Sequence, residues 1–329
     1  MTTTALAPAH QLDEEAVADV ASAERSRQTY VALVERLSRQ SVEKHYDPFV
    51  DIAWDDPEMA IDVADPRWEG AAEEFFGGTA WYDGLSSAER SRLGLFRIAA
   101  AMKLGLEFEN ILKRGLLEYA FRLPNGSPEF RYLYHETIEE AHHGLMFQEF
   151  VNRTGLPVQG LSRWEKVGSR RVVALSRWFP SLFFLFVLGG EDPIDHQQRK
   201  VLRDGDPHPL VARIMRIHVT EEARHLSFAR HHLKQEVPKL PRWKRIRLSI
   251  AAPMLLGQMA RQMLLPPRQI VEEFQIPAET LRQLSESPEA IAGVCESLQK
   301  VRKLCVELGL VNRFTVRLWK RNGIWADPA

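Results

Sequence analysis

Apolar positions in this chain recur mostly at steps of three and four residues, the spacing that collects side chains on one face of an α-helix. No alternating run long enough for a strand interrupts them, so the pattern predicts an all-α fold. One long helix is expected over 13–43. A second opens at Ser86-Ser87-Ala88-Glu89, which has the layout of a capping box, and runs to about Arg122. Pro124-Asn125-Gly126-Ser127-Pro128 breaks the rhythm. The next helix covers 128–153 and stops near Gly155 and Pro157. Residues 162–190 read as another, interrupted near Pro180 and again at Gly189-Gly190. Pro207 and Pro209 introduce a helix that ends before Pro238, and helices over about 241–265, 268–275, 277–285 and 287–309 follow. Between 45 and 84, Pro, Gly and Trp residues without a steady period predict an irregular wrap over the core. Trp54, Trp68 and Trp81 are its expected packing anchors. Residues 1–12, small and polar, read as a disordered tail. That leaves 13–329 as a single domain.

Composition narrows the function classes. The 329 residues carry 43 Lys+Arg against 44 Asp+Glu, so no large single-sign field is available to hold nucleic acid or an anionic membrane. The basic run from Lys239 to Arg247 therefore reads as a solvated helix face. Two cysteines, Cys295 and Cys305, exclude a disulfide framework, and their spacing fits neither a zinc ribbon nor a redox dithiol. No signal peptide is evident at the N-terminus. The longest apolar run, Phe179 to Gly190, falls short of the ~20 residues a spanning helix needs. A cytoplasmic protein without a membrane span is expected.

Four of the expected helices carry ligand-type residues inside otherwise apolar stripes. On the helix after Ser86, Leu95, Ile98, Met102, Gly105, Glu109, Leu112, Leu116 and Ala120 share a side, whereas Glu107 projects elsewhere. On the next, Glu140 and His143 fall in line with Leu133, Phe147 and Phe150, and His142 points away. Glu191 follows the run Phe183 to Gly190, with Phe184 and Val187 on its side. The helix after Pro209 has His218, Glu222 and His225 in a stripe with Val211, Ile214, Met215, Leu226, Ala229 and Leu233. Glu221 lies on the edge of that stripe. Burying an ionised carboxylate without a partner costs several kcal/mol, and no lysine or arginine interrupts these stripes. A pair of metal ions supplies the missing charge and accepts carboxylate and imidazole together. One Glu from each of two helices plus Glu-x-x-His from each of two others is the ligand set of ferritin-like di-iron four-helix bundles. The metal-binding core then spans about 86–236, with additional helices on either side. A lone Glu-x-x-His is expected about once by chance and carries little; the joint pattern carries the inference. Glu139 and Glu221 are equally consistent with outward groups and with groups orienting the ligand histidines. Asp195 and His196, beside Pro193, are not expected to be ligands. His231-His232 reads as surface polarity, with a minor chance that His232 grazes the metal-facing side.

Over roughly residues 90–235 the order and spacing of these groups resemble the p-aminobenzoate N-oxygenase family of di-iron enzymes. The family's first ligand is similar to Glu109, its Glu-x-x-His to Glu140-Ala-His-His143, its lone third carboxylate to Glu191, and its His-x-x-x-Glu-x-x-His to His218 through His225. The resemblance implies seven metal ligands: Glu109, Glu140, His143, Glu191, His218, Glu222 and His225. No separate catalytic or cofactor-binding residue is implied beyond them. It further implies two iron ions, with manganese–iron occupancy as a variant. The implied activity is O2-dependent oxidation of an amine, arylamine-like, to hydroxylamine, nitroso or nitro products through a peroxo-bridged diferric species. A small-molecule substrate, O2, an electron donor such as a reductase or ferredoxin, and a homodimer are the implied partners. Two departures bear on the reading. The polar, Pro-containing stretch Asp192-Pro193-Ile194-Asp195-His196 is expected to kink the ligand helix and reshape the pocket, and no match extends past residue 240. The alternative is a di-iron oxygenase, hydroxylase or desaturase acting on C–H bonds of a lipid-like or carrier-bound substrate; His218, which a six-ligand site does not need, weighs against it.

Overall fold

The computed structural model describes residues 9–325, with side chains from Glu24 onward. Among these no strand occurs. Helix α1 (Ala9–Glu43) is followed by the wrap, which contains single 3-10 turns at Pro57–Met59 and Pro66–Trp68 and two short helices, α2 (Glu69–Phe76) and α3 (Ala80–Asp83). The bundle proper is α4 (Ser87–Ala120), α5 (Pro128–Thr154), α7 (Pro180–Asp204) and α8 (Pro209–Glu236), with α6 (Arg163–Trp178) joining α5 to α7. Beyond it lie α9 (Arg242–Met263), α10 (Arg268–Glu273), α11 (Ala278–Glu286), α12 (Pro288–Ser297), α13 (Gln299–Glu307) and α14 (Val316–Arg321). No helix among the described residues is long and apolar enough to cross a membrane.

Local chemistry accounts for these boundaries. The Ser86 hydroxyl accepts from the Glu89 amide, and the Glu89 carboxylate accepts from the Ser86 amide, closing the capping box that starts α4. Ser162 and Glu165 do the same for α6. Gly155, at φ 65°, ends α5 in the left-handed conformation that glycine tolerates best. Four expectations are corrected. Residues 9–12 belong to α1 rather than to a tail, and residues 1–8 lie outside the described residues. The 162–190 segment divides at Phe179, beside Pro180 as expected, but α7 then runs on through Gly189 and Gly190 without the second break. The segment 287–309 divides at Leu298, and α14 had no counterpart in the pattern. Gly189 and Gly190 are points of close approach rather than breaks. A Cβ on Gly190 would stand 2.3 Å from the Phe108 ring, and one on Gly189 2.6 Å from Leu256. Only hydrogen at these positions lets α7 lie against α4 and α9 and carry Glu191 to the bundle's middle.

Two apolar clusters bracket that middle. One gathers Leu95, Ala99 and Met102 of α4, Met146, Phe147 and Phe150 of α5, and Leu210 to Ile217 of α8, under Trp54 and Trp68 of the wrap. The other gathers Leu112 and Leu116, Tyr132 and Leu133, Phe183 to Leu188, and Leu226 to Leu233, closed off by α1, α9 and α13. α4, α5 and α8 each cross from one apolar cluster to the other through a short polar segment, and α7 leaves the second cluster after Leu188 into a polar segment of its own. Glu109, Glu140, His143, Glu191, His218, Glu222 and His225 all sit in those segments, and each is at most 2% exposed.

Candidate metal centre

The seven side chains converge. His143 Nδ1 stands 3.3 Å from Glu140 Oε2, 3.6 Å from Glu222 Oε1 and 3.8 Å from Glu109 Oε1. His225 Nδ1 is 3.0 Å from both Glu140 Oε1 and Glu222 Oε1. His218 Nε2 is 3.5 Å from Glu109 Oε1 and 3.9 Å from Glu222 Oε1. Glu191 offers an oxygen that lies with His218 and Glu222 in a group of ligand atoms all within 4.8 Å of one another. Glu109–His143–His218 and Glu140–His143–Glu222 each share a residue with it, and a fourth group, Glu136–Glu140–His225, shares Glu140 with the second of these. Each of these groups could hold a metal ion.

The imidazoles are aimed from outside. The motif Glu-Glu-x-x-His occurs on α5 as Glu139 to His143 and on α8 as Glu221 to His225. In each, the second Glu faces the centre and the first reaches across to the other helix's histidine. Glu139 Oε2 pairs with His225 Nε2 at 2.7 Å, and Glu221 Oε2 with His143 Nε2 at 2.9 Å. With Nε2 so engaged, each Nδ1 is left facing the inner carboxylates. The Arg224 guanidinium donates to Glu139 at 2.8 Å, and the Tyr46 amide donates to Glu221 at 3.2 Å, holding both crossing carboxylates in place. His218 is turned the other way, its Nδ1 3.0 Å from Gln198 Oε1 on α7 and its Nε2 inward. Glu139 and Glu221 are therefore buried partners of the histidines, and the outward alternative is set aside.

Electrostatics show what the cluster lacks. Burial alone would push the Glu140 carboxyl up, but the facing His225 and His143 hold it down at about 2. Burial would also suppress the His143 imidazolium, yet Glu140 and Glu221 raise it to about 9, and Glu222 and Glu140 carry His225 well above its ordinary value. His218, buried and repelled by His143, falls to about 4. Glu191 rises well above the carboxylate range because it is buried and faces Glu222 and Glu140. Imidazolium protons thus balance the inner carboxylates. Among the described residues no lysine or arginine reaches Glu109, Glu140, Glu191 or Glu222 within ion-pair distance. Glu109 Oε2, Glu222 Oε2 and both oxygens of Glu191 are buried with no hydrogen-bond donor. Buried carboxylate oxygens without donors are costly, and a cation pair at the centre would satisfy all of them. The donor set fits that group.

Of the residues expected to be peripheral, Glu107 bonds Lys166 at 3.0 Å, Asp195 bonds Arg199 at 2.7 Å, and His231 is exposed. His232 is corrected: it is buried at 2% exposure, packed against the ring of Phe184 in the second apolar cluster. Sequence reasoning missed Glu136, buried one turn before Glu140, with Oε2 lacking a donor and its carboxyl raised by burial to about 8. Its i, i+4 relation to Glu140 was the available signal. Gln198 was missed as well; no spacing rule links it to His218 on another helix. A cavity of about 630 Å³ opens onto Glu109, Glu191 and His218.

The model of the family described as P-aminobenzoate N-oxygenase AurF matches residues 27–309, which corrects the narrower span expected from the motifs and carries the match past residue 240. Uncharacterized proteins of Mycobacterium tuberculosis and Mycobacterium bovis are each 41% identical to the chain over 302 residues, covering 91% of it and 89% of their own length. No solved structure matches. The family is one of oxygenases, which places this all-α protein among the enzymes that act as oxidoreductases. With most of its length inside the match, the chain belongs to the p-aminobenzoate N-oxygenase AurF family.

Proposed function

We propose that the bundle's centre binds two iron ions and that the protein inserts oxygen from O2 into the nitrogen of an amine. The observation that carries this reading is the set of donorless buried carboxylate oxygens on Glu109, Glu191 and Glu222, facing three imidazoles whose inner nitrogens are fixed from behind. Glu109, Glu140, His143, Glu191, His218, Glu222 and His225 would be the ligands. When bound, the metals supply the redox chemistry with O2, which no side chain here can perform. The chain's own residues do the rest. Glu139, Glu221 and Gln198 hold the imidazoles in the ligating orientation. The apolar cluster that contains Leu112, Leu116, Phe184 and Leu226 keeps water from reaching the centre from its end of the bundle. His218, which lines the cavity, would add a third imidazole ligand from that side. Cavity walls near the site include Phe108 and Phe147, which suit an apolar body such as an aromatic ring.

The same proposal includes an external electron donor, a cytoplasmic location and a homodimer. Support for the dimer comes from Phe130, Tyr134, Ile138 and Leu145, which form an exposed apolar line on α5. Iron is preferred to a manganese–iron pair on the family match alone, since carboxylate-rich sites discriminate weakly between these metals.

The test is anaerobic loading of the purified chain with Fe(II), counting of metal per chain, and exposure to O2 with a panel of arylamines. Two irons per chain and mass gains of one or two oxygens on an amine are expected. Oxygen added only to acyl compounds would replace this reading with C–H oxidation, which the length of the cavity favours.

A further inference from the structure

The cavity that opens onto the metal centre is long as well as large. Its wall on α4 is one uninterrupted stripe: Arg97 and Ile98, Ala101 and Met102, Gly105, then Phe108 and Glu109. At a rise of ~1.5 Å per residue, the steps from Arg97 to Glu109 carry that stripe about 18 Å along the helix. The opposite wall on α7 runs from Glu191 out to Lys200 and Asp204. A carboxylate of the metal centre thus stands at the inner end and a guanidinium at the outer end, with apolar side chains between.

That guanidinium is available. Arg97 has no hydrogen bond or ion pair among the described residues; its charge lies 4.6 Å above the ring of Phe75. Burial lowers its proton affinity, against the field of Glu74, and the side chain is half-buried. The Glu74 carboxylate is itself engaged, accepting from Gln197 Nε2 at 2.6 Å. Arg67, also at the mouth, is tied to Asp65, and Asp204 is tied to Arg203. A half-buried guanidinium with unfilled donors is a receptor for a carboxylate or phosphate, which it binds through two parallel hydrogen bonds.

We propose that the cavity takes an elongated amphiphile whose anionic head is held by Arg97 at the mouth, whose apolar body lies along α4, and whose far end is presented to the carboxylate–imidazole cluster. The inference rests on the oxygenase reading of that cluster and holds whether the far end offers nitrogen or carbon. A single-ring amino acid is short beside the about 18 Å of helix that separates Arg97 from Glu109. Placed at the cluster, it leaves Arg97 and the outer cavity unused.

Binding to the full-length, metal-free protein tests this without turnover. Calorimetric titrations with dodecanoate, dodecyl phosphate, dodecyltrimethylammonium and p-aminobenzoate are compared between the wild type and Arg97→Gln. At least one chain anion is expected to bind tenfold or more tighter than both p-aminobenzoate and the chain cation, and Arg97→Gln to weaken it tenfold or more. The preferred anion identifies the head as carboxylate or phosphate. Ala101→Phe, which plugs the stripe midway, should abolish chain-anion binding and provides a second variant if Arg97→Gln fails to fold. Tighter binding of p-aminobenzoate than of either chain anion, or chain-anion affinity unchanged in both variants, overturns the proposal. Iron counts on the same preparations separate the two readings. Arg97-dependent binding without iron uptake would remove the oxygenase reading alone, and iron uptake without chain-anion binding would remove this one alone.

Discussion

His225 and His232 stand seven residues apart on one face of α8, and both are almost fully buried, at 1% and 2% exposure. Their chemistry is opposite. His225 faces Glu222, Glu140 and Glu139, which overcome burial and raise its proton affinity well above the ordinary value. His232 is enclosed by the rings of Phe184, Tyr119 and Phe228 at 4.3, 5.3 and 5.8 Å, with the Tyr30 hydroxyl 3.5 Å from Nδ1. There, burial drives it down to about 3. An imidazole on an apolar stripe is therefore no sign of a metal site by itself. What sets the surroundings of His225 apart is the surplus of inward carboxylate oxygens, of which Glu109, Glu191 and Glu222 keep some without donors.

The largest difference between the regions should appear in metal content. Glu140→Ala or His225→Ala is expected to remove at least half of the iron counted per chain by elemental analysis, because Glu140 lies in two of the donor groups and His225 shares one of them with it. His232→Phe should leave the count untouched; an equal loss in that variant would erase the distinction between the two regions. Next in size, His218→Ala should keep much of the iron while weakening its retention against a chelator, since His218 joins the centre from one side and its partner Gln198 lies outside. Unchanged retention would argue against a ligand role for His218.

A smaller effect runs in the opposite direction. Glu191→Leu removes two buried oxygens without donors, a defect worth about 1–3 kcal/mol. The metal-free variant should melt a few degrees above the wild type in scanning calorimetry while taking up less iron. A lower melting temperature would mean that Glu191 is partnered in the metal-free state. Smallest of all, His232→Phe should alter stability by no more than about 1 kcal/mol, as one ring replaces another of similar size in an aromatic cage.

Much of this arrangement was legible in the sequence because it depends on local rules. The Ser86–Glu89 capping box and the proline at the head of α8 are set by neighbours along the chain. The stripes that collect Glu109 with Leu112 or His225 with Leu226 follow from helical periodicity alone. What escaped depends on neighbours across space. Gly189 and Gly190 looked like a break, and only Phe108 and Leu256 explain why the helix needs them. The doublet His231-His232 looked like surface polarity, although the helical turn exposes one and buries the other against Phe184. Glu139 and Glu221 were undecided because each acts on the opposite helix. Arg97 was not singled out at all, since its meaning comes from the cavity it shares with Glu109.

The central claim is that two cations sit between α4, α5, α7 and α8 on the inner faces of Glu140 and Glu222. Anomalous diffraction at the iron edge from crystals of the iron-loaded chain tests it directly. Two peaks are predicted, bonded by Nδ1 of His143 and His225, Nε2 of His218, and oxygens of Glu109, Glu140, Glu191 and Glu222. Iron bound elsewhere, or no anomalous signal among these four helices after loading, would contradict it.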